Sequence, residues 1–411
     1  MEERRVVVTG TGVISPVGNS TAEFWNSLVQ GKHGIAPITR FDTADSRVKV
    51  AAEVRNFDAK QYMKPLEVKR SDLFCRYAVA AAQQAVDESG IIGTVDRERF
   101  GVYFGSGIGG IGSGCDNTRL LLDNGPDAVS PLYVTTVIPN IAAGNLAIRF
   151  GAGGPCMSYS MACSTGTNAI GEAYRAIRHG YADAILAGGA EAPVVPLAIA
   201  GFSACRALSE SADPDSASLP FDIRRSGFVM GEGAGALILE EREHALERGA
   251  RIIGEIAGYG STCDAYHITS PMPDGAGMAG AMLQALRTVN TPKRCVYINA
   301  HGTGTVANDR IETMAIRSAF AQENAQLLIS STKSMTGHMM GAAGAVEAVA
   351  ALYALKEGII PPTAGLTQPD PECDLDYVPV TARRAEPDCA LSSSMGFGGH
   401  NACLAFVRGD R

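Results

Sequence analysis

Cys163 stands in the run YSMACSTGTNAIGEAYRAI, Tyr159 to Ile177, among small residues and just ahead of a segment with helical periodicity. Ile170, Tyr174 and Ile177 give that segment an apolar face. Ser164, Thr165 and Thr167 are residue types that cap a helix start. A thiol placed there feels the positive end of the helix dipole, which favours the thiolate. Free backbone N–H groups at the same point can receive an oxyanion. A small packed core residue fits the stretch as well, so these residues alone leave both roles open.

Two histidines and a lysine sit in comparable surroundings. His301 directly follows the apolar run CVYINA and is flanked by GTGT, whose glycines leave room for a ligand chain and whose hydroxyls can bind it. A polar turn after a strand is the alternative. His338 lies in STKSMTGHMMGAAGA, five residues after Lys333, where small residues let a following helix approach closely. A histidine capping that helix is the alternative here. His33, His179 and His244 read as surface groups, while His267 and His400 stay open. Gly105, Gly107 and Gly110 form a GxGxxG, but no acidic residue closes a second strand at the right distance, so a dinucleotide fingerprint is weak. No P-loop, HExxH or GxSxG is present.

The elements that must position these groups alternate strand and helix. Arg5 to Thr9 reads as a first buried strand, followed by a Gly/Pro loop, and Ser71 to Ser89 as a helix with Phe74, Ala78, Ala81 and Ala85 inward. RFGVYFG, ADAILAGGAE, AGALILEE, Cys295 to Ala300 and LLISS read as further buried strands. Ser164 to Arg178 and the Ala-rich run after His338 read as helices, and Ser209 to Pro220 as a surface loop. Buried strands between helices argue for a layered α/β fold with its reactive residues at strand ends. The Cys163 region and the His338 region share a plan, which suggests duplication without an exact repeat. The division expected is an N-terminal half, 1–250, carrying the cysteine and a C-terminal half, 251–411, carrying the histidines.

Composition bounds the rest. The chain has 411 residues, 46% hydrophobic and 19% charged, which is a folded globular balance. A net charge of −8 argues against nucleic acid as a partner. An acidic protein partner remains compatible through local basic residues such as Lys64, Lys69, Arg70, Arg206, Arg224 and Arg225. The 10 cysteines are scattered singly without a CxxC, which fits a reduced compartment and neither a disulfide framework nor a zinc site. No targeting segment or membrane span is legible; the most apolar stretch, Gly341 to Leu355, carries Glu347. A cytoplasmic protein is expected.

Several of these stretches together resemble the β-ketoacyl-[acyl-carrier-protein] synthases, most closely the elongating synthase II type. The resemblance runs through VVVTGTGVISPVG, GSGIGG, ACSTGTNAIGEA, ILAGGAEAP, PFDIRRSGFVMGEGAG, INAHGTGT, STKSMTGHMMGAAGAVEA and GFGGHN, in order over essentially the whole chain. It implies a thiolase fold with two mixed sheets and helices in five α/β/α/β/α layers, two pseudo-symmetric halves and a homodimer, for which the strand Ala184 to Ala190 could form a contact. It implies Cys163 as acyl-accepting nucleophile, His301 and His338 as catalytic histidines, and Lys333 paired with Glu312. Phe397 would be the mobile aromatic whose N–H, with that of Cys163, completes the oxyanion hole. Thr303 and Thr305 would line the phosphopantetheine tunnel, and Ile108 would stand at the acyl pocket. The implied reaction is decarboxylative condensation of malonyl-carrier with Cys163-bound acyl, with no cofactor or metal and acyl carrier protein as partner. A ketosynthase of a polyketide or specialised fatty-acid pathway is the alternative. Met395 departs from the family's usual phenylalanine beside the gate, and His400 from a common threonine.

Overall fold

The computed structural model describes residues 4–409, and its ten principal strands form one continuous sheet. They are β1 (Val6–Ile14), β2 (Phe100–Gly105), β3 (Cys156–Met157), β4 (Ala184–Glu191), β5 (Gly233–Glu241), β6 (Gly254–Cys263), β7 (Cys295–Asn299), β8 (Gln326–Ser330), β9 (Cys389–Gly396) and β10 (His400–Val407). Their spatial order is β8-β7-β9-β10-β6-β1-β5-β4-β2-β3. Outward from the centre, β1/β5 and β5/β4 pair antiparallel, then β4/β2 and β2/β3 parallel. The other half repeats the sequence, with β6/β10 and β10/β9 antiparallel and β9/β7 and β7/β8 parallel. Among the described residues the strands of the two halves pair where Val6–Val8 meets Gly254–Ile256, so the two mixed sheets expected are linked edge to edge.

The main helices are α1 (Leu73–Ser89), α2 (Ile111–Asn124), α3 (Thr165–Arg178), α4 (Ala276–Leu286), α5 (Val306–Ala319) and α6 (Ala343–Glu357). Helix α1 packs on strands of the first half and α4 on strands of the second, while α3 and α6 touch strands of both. That arrangement makes five layers, with α3 and α6 in the middle. Val346, Val349, Leu352 and Leu355 of α6 are all 1% exposed. Burial of each contributes about 1.5–3 kcal/mol.

Glycine sets how closely the outer helices approach. A Cβ at Gly12 would lie 1.9 Å from the Ala81 carbonyl oxygen, and one at Gly260 1.9 Å from that of Ala281. The same device therefore seats α1 and α4 on their halves, which is the duplication made visible. It also explains why β1 extends to Ile14, where the sequence suggested a loop after Thr9: Gly10 and Gly12 lie in the strand beneath α1. Asp72 begins α1 by accepting the Phe74 N–H at 3.2 Å. Two further expectations change. Strand β4 lies between β5 and β2, so it offers no edge to a second subunit. Ala217 to Phe221 is buried rather than surface loop, and Ser218 Oγ donates to the Lys333 carbonyl at 2.8 Å. All ten cysteines are free, and among the described residues no helix is long and apolar enough to cross a membrane.

Candidate active site

Cys163 lies in a tight turn, Ala162–Ser164, that leads into α3. Ala162 takes φ +48°, a left-handed conformation unusual for a residue with a side chain. The hydroxyls expected to cap the helix instead pin this turn. Thr165 Oγ1 accepts the Met161 N–H and donates to the Ala162 carbonyl, both at 2.8 Å. Ser164 Oγ donates to the Met161 carbonyl at 2.9 Å, and Thr167 bonds Ser394. The second half holds a twin: Met340 takes φ +49° in the turn Met340–Ala342 ahead of α6, so Gly341 occupies the place equivalent to Cys163. The helices that follow the two turns start in close contact, because a Cβ at Gly166 would lie 2.6 Å from the Ala345 nitrogen.

Burial governs the thiol. It pushes Cys163 up to about 12, while the charge of Lys333 and the N–H of Phe397 pull in the other direction. Burial is the largest influence on this thiol, ahead of the Lys333 charge and the Phe397 N–H that favour its anion. The imidazoles are governed the same way with opposite sign. Burial first, and the Lys333 charge second, hold His301 and His338 well below the usual histidine range, so both are neutral. Their rings meet edge to face at 5.4 Å, and Phe228 abuts His338 at 5.0 Å. His338 Nδ1 accepts the Met340 N–H at 3.3 Å, which leaves Nε2 to carry the proton as a donor.

The expected pairing of Lys333 with Glu312 is replaced by another. Lys333 Nζ donates to Glu347 Oε1 at 2.5 Å, with both side chains buried. Glu312 serves the backbone instead, accepting the His301 and Gly302 N–H groups at 2.7 Å each and thereby fixing the turn that presents His301. Burial pushes its carboxyl up to about 7 against the pull of those donors. Glu347 had a signal in the sequence: it is the one charge inside an apolar run, and a lone glutamate on a buried helix needs a buried cation.

One cavity of about 340 Å³ gathers most of the expected residues: Cys163, His301, Thr303, Thr305, His338, Met395 and Phe397. Thr303 and Thr305 hydroxyls bond each other at 3.0 Å. Phe397 sits against Phe202, with ring centres 6.2 Å apart, ahead of Gly398 and Gly399 at φ +87° and +77°. Asp264 and Asn401, missed from sequence, tie this turn down: Asn401 Nδ2 donates to Asp264 Oδ1 at 2.6 Å, and the Asp264 N–H to the Gly399 carbonyl at 2.9 Å. Ile108 is not in this cavity. It lines a second groove of about 570 Å³ with Ile111, Leu122, Val137 and Leu197. Gly107, next to Ile108, comes close to the Cys163 turn: a Cβ there would lie 3.4 Å from the Ala162 carbonyl oxygen. Of the basic residues, Lys64, Lys69, Arg70 and Arg206 are exposed, Arg224 pairs with Asp222, and Arg225 is buried against Asp370 and Asp309.

Known proteins are similar to this chain over its length. The family description β-ketoacyl synthase, N-terminal domain, matches residues 3–245, and its C-terminal counterpart matches residues 253–367. The chain is 50% identical over 411 residues to the 3-oxoacyl-[acyl-carrier-protein] synthase 2 of Synechocystis sp., covering 99% of each. It is 46% identical over 409 residues to the enzyme of that name from Staphylococcus aureus, again covering 99% of each. A solved type II polyketide ketosynthase, bound to the hexaketide and in complex with its acyl-carrier protein, superposes with a TM-score of 0.90 at 34% identity, covering 100% of both chains.

Proposed function

Because the chain belongs to the β-ketoacyl synthase family, we propose that it elongates an acyl chain by decarboxylative condensation with a malonyl unit, both delivered on acyl carrier protein, in fatty-acid synthesis. The observation that carries this reading is one cavity shared by a buried thiol and two neutral imidazoles. Halves 1–250 and 251–411 supply the thiol and the imidazoles respectively.

The chemistry follows from the groups present. Acyl thioester enters, Cys163 Sγ bonds its carbonyl carbon, and the carrier sulfur leaves with the thiol's proton. The passing oxyanion is received by the N–H groups of Cys163 and Phe397. Malonyl thioester then loses CO2, and the electron pair remains as an enolate. Neutral imidazoles suit that step, since N–H donors stabilise the enolate oxygen without protonating its carbon. The enolate carbon attacks the acyl carbonyl, the Cys163 sulfur departs, and the product is a 3-oxoacyl thioester two carbons longer. Lys333 favours both the sulfur anion and the uncharged imidazoles, and Glu347 keeps its ammonium compensated in the core. The burial of Cys163, His301 and His338 keeps the reacting carbon away from bulk water.

The acyl chain runs past Gly107 into the apolar groove of Ile108, and pantetheine lies along Thr303 and Thr305. Exposed Lys64, Lys69, Arg70 and Arg206 suit an acidic carrier protein. A homodimer through the edge strand β3 is supported by the exposed apolar residues Val134, Ile148, Met157 and Leu197. The reaction needs no cofactor, and the compartment is cytoplasmic. A fatty-acid role is preferred over a polyketide one because identity is 50% to the former relative and 34% to the latter. Mass spectrometry after incubation with acyl-loaded carrier protein tests the reading. An acyl adduct on Cys163 is expected, and no adduct with any chain length would overturn it.

A further inference from the structure

Glu191 ends strand β4 and is fully buried, yet no step above uses it. Its carboxylate collects four donors from two separate turns. Oε1 accepts Ser106 Oγ at 2.7 Å and the Ile108 N–H at 3.1 Å. Oε2 accepts the Gly107 N–H at 2.7 Å and the Gly341 N–H at 3.0 Å. Ser106 Oγ in turn accepts the Gly109 N–H at 2.9 Å, which closes the turn upon itself. Gly341 follows Met340, the residue whose N–H fixes the His338 ring. The packing admits no alternative filling, because a Cβ at Gly341 would lie 2.6 Å from Oε2 and 2.5 Å from the Gly107 nitrogen. A carboxylate in the protein interior is costly to desolvate. One that joins the turn of Ile108 to the turn after His338 has a specific task to perform.

We infer that Glu191 is a positioning residue for acyl-chain selection, holding Ile108 in the wall of the acyl groove while its other oxygen anchors the turn after His338. This rests on the proposed reading that the acyl chain enters that groove. Burial pushes the carboxyl up and the four donors pull it back, as an ionised acceptor among N–H groups requires. The asymmetry of its partners makes the role testable. In Glu191→Gln the amide nitrogen must replace one oxygen. At the Oε2 place it would face two backbone N–H groups. At the Oε1 place the Ser106 hydroxyl can turn its hydrogen away and accept, so the Ile108 N–H is the one backbone donor left opposite a donor. The substitution therefore releases Ile108 selectively and keeps the Gly107 and Gly341 contacts.

The experiment uses the full-length protein, with two readouts: elongation of short- and long-chain acyl carriers, and malonyl-carrier decarboxylation without an acyl primer. Glu191→Gln should raise the ratio of long- to short-chain kcat/KM by about tenfold, as loss of one buried donor's partner predicts. Decarboxylation should stay within about threefold of the parent, since His338 keeps its anchor. A folded variant with the parent's chain-length profile would overturn the inference, as would equal losses in both readouts. If Glu191→Gln does not fold, Ser106→Ala decides, because it removes one donor to the same oxygen: a shift of about threefold in the same direction supports the role, and an unchanged profile ends it. A parent protein that never acylates Cys163 would instead sink the proposed reaction, so the two failures are distinct.

Discussion

Replacing Glu347 by Gln isolates the buried ion pair of Lys333. Lys333 Nζ and Glu347 Oε1 lie 2.5 Å apart, with side chains 1% and 2% exposed. The substitution leaves an ammonium in the interior opposite a neutral amide, and breaking one side of such a pair costs about 3–5 kcal/mol. Unfolding entropy is about 2.1 cal/mol/K per residue. Over 411 residues that amounts to about 0.9 kcal/mol/K, so Tm should fall by about 3–6 °C. Lys333→Met should cost less, because burial already pushes the Glu347 carboxyl up and it can take a proton. Lys333→Met with Glu347→Leu should recover most of the Tm, since an apolar pair replaces an ionic one of similar volume, but not the decarboxylation rate, since the cation is gone. Lys333→Met with Glu312→Gln should show weaker coupling than Lys333 with Glu347, because Lys333 acts on Glu312 through its charge alone and shares no hydrogen bond with it. Calorimetry and malonyl-carrier decarboxylation on these four variants, with Glu312→Gln and Glu347→Leu alone completing the two cycles, read this out. A Tm for Glu347→Gln within about 1 °C of the parent, or stronger coupling of Lys333 to Glu312, would refute the assignment of the pair.

Other outcomes follow from the same geometry. Cys163→Ala should abolish elongation and the acyl adduct together, whereas Cys163→Gln should retain decarboxylation without condensation; full condensation in either ends the mechanism. With the thiol pushed up to about 12, iodoacetamide labelling of Cys163 in the empty protein should rise about tenfold per pH unit between pH 7 and 10 without a plateau. A plateau near neutrality would show a standing thiolate. Glu312 is pushed up to about 7, so it is ionised above that pH and gains a proton below it, weakening its hold on the His301 and Gly302 N–H groups. The acid limb of decarboxylation should therefore bend near pH 7 and lose the bend in Glu312→Gln, since both histidines titrate far lower. Gly12→Ala and Gly260→Ala should each lower Tm, because each Cβ would lie 1.9 Å from a helix carbonyl oxygen; a neutral effect at both would mean that the helices shift freely.

What the sequence by itself determined is the alternation of elements and the chemistry of the site. Buried β-runs such as CVYIN and AILAGGAE and the periodic helix after Cys163 are local patterns, and local patterns survive folding. The motifs around Cys163, His301, His338 and Phe397 likewise identified the family, because each keeps its chemistry in a short stretch. The tertiary structure decided everything that depends on distant partners. Whether Lys333 meets Glu312 or Glu347 turns on which helix passes behind the cavity, and no spacing along the chain encodes that. The same holds for the state of Cys163. The helix start is readable from sequence, but desolvation depends on how completely other segments close over the thiol, and here it exceeds the pull of Lys333 and the Phe397 N–H. Strand β4 appeared suited to an interface because it is small and apolar, yet its neighbours β5 and β2 occupy both its edges, since backbone donors and acceptors in a buried strand must find partners. Glu191 stayed hidden for that reason too: its four donors come from turns 85 and 150 residues away at the farthest Ser106 and Gly341, and only the folded chain brings them to one carboxylate.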